Sequence, residues 1–341
     1  MENKQYRANF SAVNRSIASY IVKPTERKQS GKSWVQWGDR DKYPAYLYDL
    51  FCECATLRAV IDGTTDYVCG NGIQACQFNK KEEEEETFRK IVQSQLTYGG
   101  FALEVIPDSF GKISEIYCLD FRNVRCNEEK TVFYYGEINK NNVVALPAFD
   151  QRKAKVEHSI LMYNGSSLSI YPQPLYIGAV YSCEIEKSIS EFQLNSVNNG
   201  FTGSYLVNFN VPKPDDKICD ETEMRFNEKF SGKENAGRIM FSWNDNKENE
   251  TTLQKLEITD FGDQYNALQA HSRQQIFTAF RANPNLFGLP TEGTGFSGEE
   301  YANAYQLFNR TMVIPTQKRI IKALEKIGVN VSIKPFNLTL E

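Results

Sequence analysis

Residues 172–200 read PQPLYIGAVYSCEIEKSISEFQLNSVNNG, and the rest of the chain is organised around them. Pro172 and Pro174 are unsuited to a helix interior but fit a helix start. Behind them Leu175, Ala179, Ser182, Ile185, Ile189 and Phe192 recur at helical spacing as one stripe. Glu184, Lys187, Glu191 and Asn195 lie away from that stripe, and Asn199-Gly200 supplies a stop. A helix over 174–199 would be roughly 39 Å long, more than a small globule covers by itself.

Downstream, 204–209 reads as a strand, and Asp220-x-x-Glu223 resembles the cap of a short helix reaching Phe230. Asn235-Ala-Gly237 turns the chain into a second strand over 238–243, and residues 213–250 hold ten acids against seven bases. A third long helix begins after Asp260, striped by Tyr265, Leu268, Ser272, Ile276 and Phe280, and ends near Asn283-Pro284. The loop from Asn285 to Gly298 carries four Gly, Pro290, Phe287 and Phe296. Ser297 reads as the cap of a last helix bearing Tyr301, Ala304, Tyr305, Phe308 and Met312, which Pro315 breaks or kinks. Ile320, Ile321, Leu324 and Ile327 follow, then an alternating, strand-like close over 329–340.

Upstream, residues 1–40 are polar, with a Lys/Arg/Ser-rich patch from Lys23 to Lys32, and read as an arm or long loop that ends at Trp34 and Trp37. One helix is expected over 43–62, striped by Tyr46, Leu47, Leu50, Cys54, Leu57 and Ile61. Asn79-Lys-Lys-Glu82 resembles a capping box, and the acids to Glu86 fill the first turns of a helix that stops at Gly99-Gly100. Short strands follow over 101–106, 115–119, 132–135 and 159–163, separated by Pro107-Asp108, Gly111 and Asn164-Gly165.

Composition narrows the function. The chain has 341 residues, net charge −4 and pI about 5.6, so it has no cationic excess for gripping phosphates. No apolar run reaches membrane-spanning length, and no signal peptide is evident behind Met1. The eight Cys are scattered without a CxxC motif, which reads as reduced, buried thiols rather than a zinc site. Gly31-Lys32-Ser33 fails as a phosphate loop because Glu26 stands where that loop needs Gly. His158 and His271 lie in no nucleophile or metal motif. The reading is of a non-enzyme with no catalytic residue, metal or cofactor.

The order and spacing of four stretches resemble the portal protein family of tailed bacteriophages. They are Tyr43-Pro-Ala-Tyr-Leu47 through Val68-Cys-Gly-Asn-Gly72; Tyr171-Pro-Gln-Pro174 with its helix to Asn198-Asn-Gly200; Asn235-Ala-Gly-Arg-Ile-Met240; and Arg273-Gln-Gln-Ile-Phe277 through Asn283-Pro-Asn-Leu-Phe-Gly288, Phe296-Ser-Gly-Glu-Glu300 and Ile314-Pro315.

The resemblance implies an α+β, portal-like fold. After an arm over 1–39 comes a mixed wing over 40–173, completed by helices and strand over 299–341. Stem helices over 174–199 and 259–282 flank a small α/β clip over 200–258. A Gly-rich tunnel loop spans 283–298, and the crown is reduced or absent. It implies a ring, twelve-fold by family analogy, at the capsid vertex, through which double-stranded DNA passes without sequence-specific binding. The implied partners are the large terminase ATPase, then the head–tail adaptor, and the major capsid protein. The location is the virion, and host cytoplasm during assembly, with no membrane and no cofactor. Another head–tail connector or minor capsid protein is the alternative.

Channel-facing candidates are Glu184, Glu191, Asn285, Phe287, Thr291, Glu292, Thr294 and Phe296. Asp215, Asp216, Lys217 and Asp220 are the candidate docking residues of the clip. Deletion of 286–297 is expected to leave folding largely intact and to alter DNA passage.

Overall fold

The computed structural model describes residues 26–29, 32–75, 78–138, 142–150, 158–165, 169–198, 205–209, 214–230, 239–243, 252–255, 262–289 and 298–336. It opens with a hairpin of β1 (Glu26–Gln29) and β2 (Lys32–Val35), followed by α1 (Tyr43–Glu53), α2 (Ala55–Cys69) and the short β3 (Ile73–Ala75). Next come α3 (Glu84–Tyr98), β4 (Gly100–Pro107), β5 (Ile113–Cys118), β6 (Val124–Cys126), β7 (Val132–Glu137), β8 (Asn142–Pro147) and β9 (Ser159–Asn164). Then α4 (Val180–Asn198), β10 (Tyr205–Phe209), α5 (Asp216–Phe230), β11 (Ile239–Trp243), β12 (Thr252–Lys255) and α6 (Gly262–Ala279) lead to α7 (Gly298–Phe308), α8 (Ile314–Glu325) and β13 (Val331–Ile333). The class is α+β, as the sequence indicates. Two compact units divide the chain: 1–53, 57–178 and 277–341 form the first, and 54–56 with 179–276 the second.

The first unit is built on α3 and β4. Phe88, Ile91, Val92 and Leu96 line one face of α3 at helical spacing and are buried. Residues Phe101, Ala102, Leu103 and Val105 of β4 are buried too, so this strand is covered on both faces. It is the centre of an antiparallel sheet in the order β5–β4–β9. A second antiparallel sheet has the order β6–β7–β8, and β3 pairs with β13. Gly99 ends α3 with φ +80°, and a Cβ there would stand 1.9 Å from the Gln173 carbonyl oxygen. Only glycine satisfies both demands.

A buried ion pair ties the start of α1 to β6. Arg125 Nε donates to Asp41 Oδ1 at 2.7 Å, with both side chains 2% exposed. Trp34 Nε1 and the Trp37 backbone N–H also donate to the Asp41 carboxylate. The other Arg125 donors reach the carbonyls of Arg122, Val124 and Asp41. Beside this knot the Trp37 and Tyr171 rings stack at 4.8 Å, and Tyr171 Oη donates to the Val35 carbonyl.

Several sequence expectations need correction. The arm over 1–39 includes paired strands at 26–35, and Trp34, Val35 and Trp37 are core residues. The single helix over 43–62 is two helices broken at Cys54, the second running on to Cys69. Asn79 does not cap α3. It is buried, its Oδ1 accepts from the backbone of Lys81 and Glu82, and the helix starts only at Glu84. Strands β3, β6 and β8 were not anticipated, because three-residue strands and an edge strand carry too few alternating positions to register as a pattern.

Of the two outcomes expected at Pro315, a break or a kink, the structure excludes the break: the helical run continues through it. The turn Asn309–Val313 widens to π-helical geometry between α7 and α8, which accommodates a ring that an α-helical turn would drive into the carbonyl four residues earlier. The close of the chain pairs only over Val331–Ile333, and 337–341 lie outside the described residues.

Replacing Arg125 by Met leaves the Asp41 carboxylate buried without its counter-charge and should destabilise the first unit by about 3–5 kcal/mol. Adding Asp41→Asn should recover a large part of that loss. Denaturant unfolding followed by tryptophan fluorescence measures both, and a single-variant loss below about 1 kcal/mol would show that the pair does not hold this region.

Candidate functional site

The second unit carries its chemistry on two helices. Val180, Cys183, Glu186 and Ile189 are buried along α4. The stripe read from the sequence therefore holds only in part: Ala179 and Ile189 are buried, whereas Leu175, Ile185 and Phe192 are 40%, 38% and 44% exposed. The cause lies just upstream, where Leu175–Ala179 forms a 3-10 turn. Three residues per turn instead of 3.6 advances the faces by about 100° over five residues, so a uniform α period begun at Leu175 falls out of register. The α-helix proper spans 19 residues, about 29 Å, shorter than the expected 174–199.

Glu186 sits on the buried face and was missed for that reason. It is 3% exposed, and its Oε1 accepts from the Thr56 backbone N–H at 3.2 Å and from Thr56 Oγ1 at 2.8 Å. Its Oε2 accepts from Cys54 Sγ at 3.5 Å. Thr56 is in the first turn of α2, where backbone N–H groups have no helical partner and the dipole favours a negative charge. The segment 54–56 belongs to the same unit as α4, and Glu186 is what holds it there.

The outward side of α4 mixes charge with bare hydrocarbon. Glu184 is half-buried and Glu191 exposed, with Lys187 Nζ 3.9 Å from Glu191 one turn away. Tyr181, Leu194 and Val197 are 58%, 60% and 57% exposed. Phe192 meets Tyr265 of α6 with ring centroids 5.0 Å apart, which links the two helices. On α6, Ser272 and Ile276 are buried while Leu268 is exposed.

Between these helices in the sequence lies a three-stranded sheet, ordered β11–β10–β12, with β10 parallel to β11 and antiparallel to β12. Phe209 and Trp243 stack at 4.5 Å across the parallel pair. Helix α5 begins at Asp216 rather than after Asp220, with the Asp215 carbonyl accepting from the N–H groups of Ile218 and Cys219. Asp215, Asp216, Lys217 and Asp220 are all exposed, next to a half-exposed Ile218 and an exposed Met224.

The segment expected to open a loop at Asn283 is anchored in the first unit. Asn283 Oδ1 accepts from the Asn285 N–H and starts a 3-10 turn over Pro284–Phe287. Leu286 is buried, and its carbonyl accepts from Tyr67 Oη at 2.9 Å. The Phe287 ring packs against those of Tyr67, Phe277 and Phe308 at 5.7–5.9 Å. Gly63 opens the space for it, because a Cβ there would lie 2.8 Å from the ring. A deletion beginning at residue 286 would therefore remove core contacts, which corrects the expectation that 286–297 is dispensable for folding. Thr291, Glu292, Thr294 and Phe296 lie outside the described residues.

Among the described residues no cluster of three His, Cys, Asp or Glu could hold a metal ion. No helix there is long and apolar enough to cross a membrane. His158 pairs with Glu104 at 2.7 Å, and His271 is exposed on α6. Burial pushes the thiols of Cys69 and Cys126 up to about 11 and that of Cys118 up to about 12, so they remain protonated and weakly nucleophilic at neutral pH. Lys32 and Ser33 are strand residues of β2, which is not the setting of a phosphate loop.

A family model described as phage portal protein matches residues 75–333. Among solved structures, a chain from the neck of a native GTA particle computed with C12 symmetry is similar at TM-score 0.58 and 15% identity, covering 94% of this chain and 89% of that one. A chain from the virion of a native gene transfer agent particle gives TM-score 0.57 at 14% identity with the same coverages. One from the neck of an empty GTA particle computed with C6 symmetry gives 0.58 at 13%, covering 94% and 90%. At these identities the likeness establishes the fold. No curated protein matched the sequence.

Replacing Glu186 by Ala leaves the Thr56 and Cys54 donors buried without an acceptor and should cost about 1–3 kcal/mol. Glu186→Gln, which keeps one carbonyl, should lose less. Hydrogen exchange at the Thr56 amide reports it directly: faster exchange in the Ala variant is expected, and an unchanged rate would remove Glu186 from this role.

Proposed function

The chain belongs to the phage portal protein family and is a portal subunit at the capsid vertex, and from that premise we propose that its copies pack side by side into a closed ring through which double-stranded DNA enters and leaves the capsid. The observation that carries the ring is the outward surface of α4 and α6. Tyr181, Leu194, Val197 and Leu268 remain about half exposed in the single chain, and covering what is still bare would gain each about 1 kcal/mol. A second unit of slender helices cannot bury both of their sides. Identical neighbours related by rotation can, through heterologous contacts that close on themselves. We take twelve copies, the symmetry used for the neck of the similar native particle.

The remaining roles follow from charge. A chain of net charge −4 has no cationic excess for gripping DNA. Glu184 and Glu191 are assigned to the channel wall, where weak repulsion lets the duplex slide. Asn285, Thr291, Glu292, Thr294 and Phe296 are assigned to the channel as well, whereas the packed Phe287 ring is an anchor within the first unit. Asp215, Asp216, Lys217 and Asp220, exposed at the start of α5, are assigned to docking the terminase motor and then the head–tail adaptor. The subunit contacts the major capsid protein in the virion and passes through host cytoplasm during assembly. Its role is structural, with the work of packaging supplied by the separate ATPase.

Electron microscopy of the purified protein should show rings with a central hole, and compact monomers under every assembly condition would overturn the reading. Glu184→Lys combined with Glu191→Lys should reduce packaging or ejection at least ~tenfold, a difference of about 1.4 kcal/mol in barrier, while rings still form. Normal packaging in assembled variants would take these residues off the wall. Deleting 290–297, which spares Leu286 and Phe287, should leave the melting temperature unchanged and alter DNA passage. Loss of folded protein would show that segment to be structural.

A further inference from the structure

Two thiols of the second unit face each other and have no part in the passage of DNA. Cys54 stands at the break between α1 and α2, and Cys183 lies on α4, one turn before Glu186. Both are 0% exposed, and both fall in the second unit. Their side chains are hydrogen-bonded to each other, and that bond, ahead of burial, raises the Cys183 thiol above its usual range. Cys54 Sγ also donates to Glu186 Oε2 at 3.5 Å. Two sulfurs are thus brought together from segments far apart in sequence, with a buried carboxylate beside them.

Other buried thiols meet different chemistry. Cys126 is hydrogen-bonded to the Tyr171 side chain, and Cys219 Sγ donates to the Pro214 carbonyl at 3.6 Å. A buried thiol of that kind acts as a small apolar group with a weak donor. A facing pair can do more, because it can lose two hydrogens and join. Closing the S–S bond to about 2.05 Å starts here from hydrogen-bonding contact. Glu186 would keep both of its Thr56 donors when the Cys54 proton is gone.

We propose that Cys54 and Cys183 are a redox pair, which a small-molecule disulfide oxidises to a Cys54–Cys183 bond that fastens the α1–α2 break to α4. The Cys54 proton leaves toward Glu186, and the thiolate attacks one sulfur of the oxidant. The oxidant's S–S bond breaks, a mixed disulfide forms and one small thiol departs. The Cys183 thiolate then attacks the Cys54 sulfur and expels the second small thiol. Two protons leave the cysteines, and two electrons reduce the oxidant to two thiols. Thiolate is the nucleophile in both steps, so the reaction quickens as pH rises. Both sulfurs are enclosed, so the oxidant enters through local opening. The bond closes a loop of roughly 130 residues, and a crosslink across a long loop restricts the unfolded chain strongly. The chain leaves the second unit after residue 56 and re-enters it at 179, so the bond pins those two crossings to each other. This pairing stands independently of the ring reading.

The test incubates the folded full chain with oxidised glutathione above neutral pH, blocks the remaining thiols and maps the peptides without reduction. A joined pair of peptides holding Cys54 and Cys183, lighter by two hydrogens and separated by dithiothreitol, is expected. Exposed Cys52 should carry glutathione, which shows that the oxidant is active. Preferential joining of any other two cysteines, glutathione adducts alone, or no change at Cys54 and Cys183 overturns the pairing. The bond should raise the melting temperature by at least ~3 °C, and dithiothreitol should reverse the rise. Cys183→Ser should abolish both the joined peptides and the rise, whereas Cys126→Ser should keep both. An oxidised chain that holds the bond but melts no higher overturns the fastening.

Discussion

The first unit depends on the charged pair of Asp41 and Arg125. Taking two ions out of water is expensive, and attraction repays it only when every remaining donor and acceptor is satisfied. Here they are: the carboxylate accepts from Arg125, Trp34 and Trp37, while the guanidinium also feeds three backbone carbonyls. This requirement dictates the path of the chain around it. Arg40 and Asp41 both adopt positive φ, 50° and 62°, a conformation that costs a non-glycine residue roughly 1–2 kcal/mol. The bonds that Asp41 makes to Arg125, Trp34 and Trp37 offset that strain. The same turn delivers Trp37 to its stack with Tyr171 and sets the angle at which α1 leaves.

The second unit obeys a different constraint. Its helices α4 and α6 meet through Phe192 and Tyr265 but leave apolar side chains uncovered. The first unit buries α3 and both faces of β4 and leaves Phe110 bare at the tip of the β4–β5 hairpin. Glu186, by accepting from Thr56 and Cys54, is the polar fastening by which α4 keeps the α1–α2 break within its own unit. A carboxylate suits that position because the first turn of α2 offers unpaired N–H groups.

Much was legible in the sequence because it is local. Gly99-Gly100 stops α3 through a positive φ that needs no distant partner, and the strands beginning at Phe101, Glu115, Val132 and Ser159 announce themselves by β-rich runs between turn residues. The α+β class and the portal family followed from the order of such pieces. What failed did so where local rules compete. Asn79 and Glu82 have capping-box spacing, yet Asn79 is drawn into the core to serve Thr87 and Ile116, and the helix starts later. The stripe of α4 was placed correctly only at Ala179 and Ile189, because a 3-10 turn before it has a different period.

The sequence by itself therefore determined most of the helices and several strands and the absence of cationic excess, since periodicity, turn chemistry and net charge are properties of neighbours along the chain, while the family was read from the resemblance of four stretches. Only the tertiary structure decided that Asp41 meets Arg125 across 84 positions, that Glu186 rather than Glu184 is the buried acid of its helix, and that Phe287 is packed while Phe110 is bare. Those outcomes depend on which side chains arrive from elsewhere to exclude water. Burial of a charge or a ring is a property of the assembled neighbourhood, and no spacing within one segment encodes it.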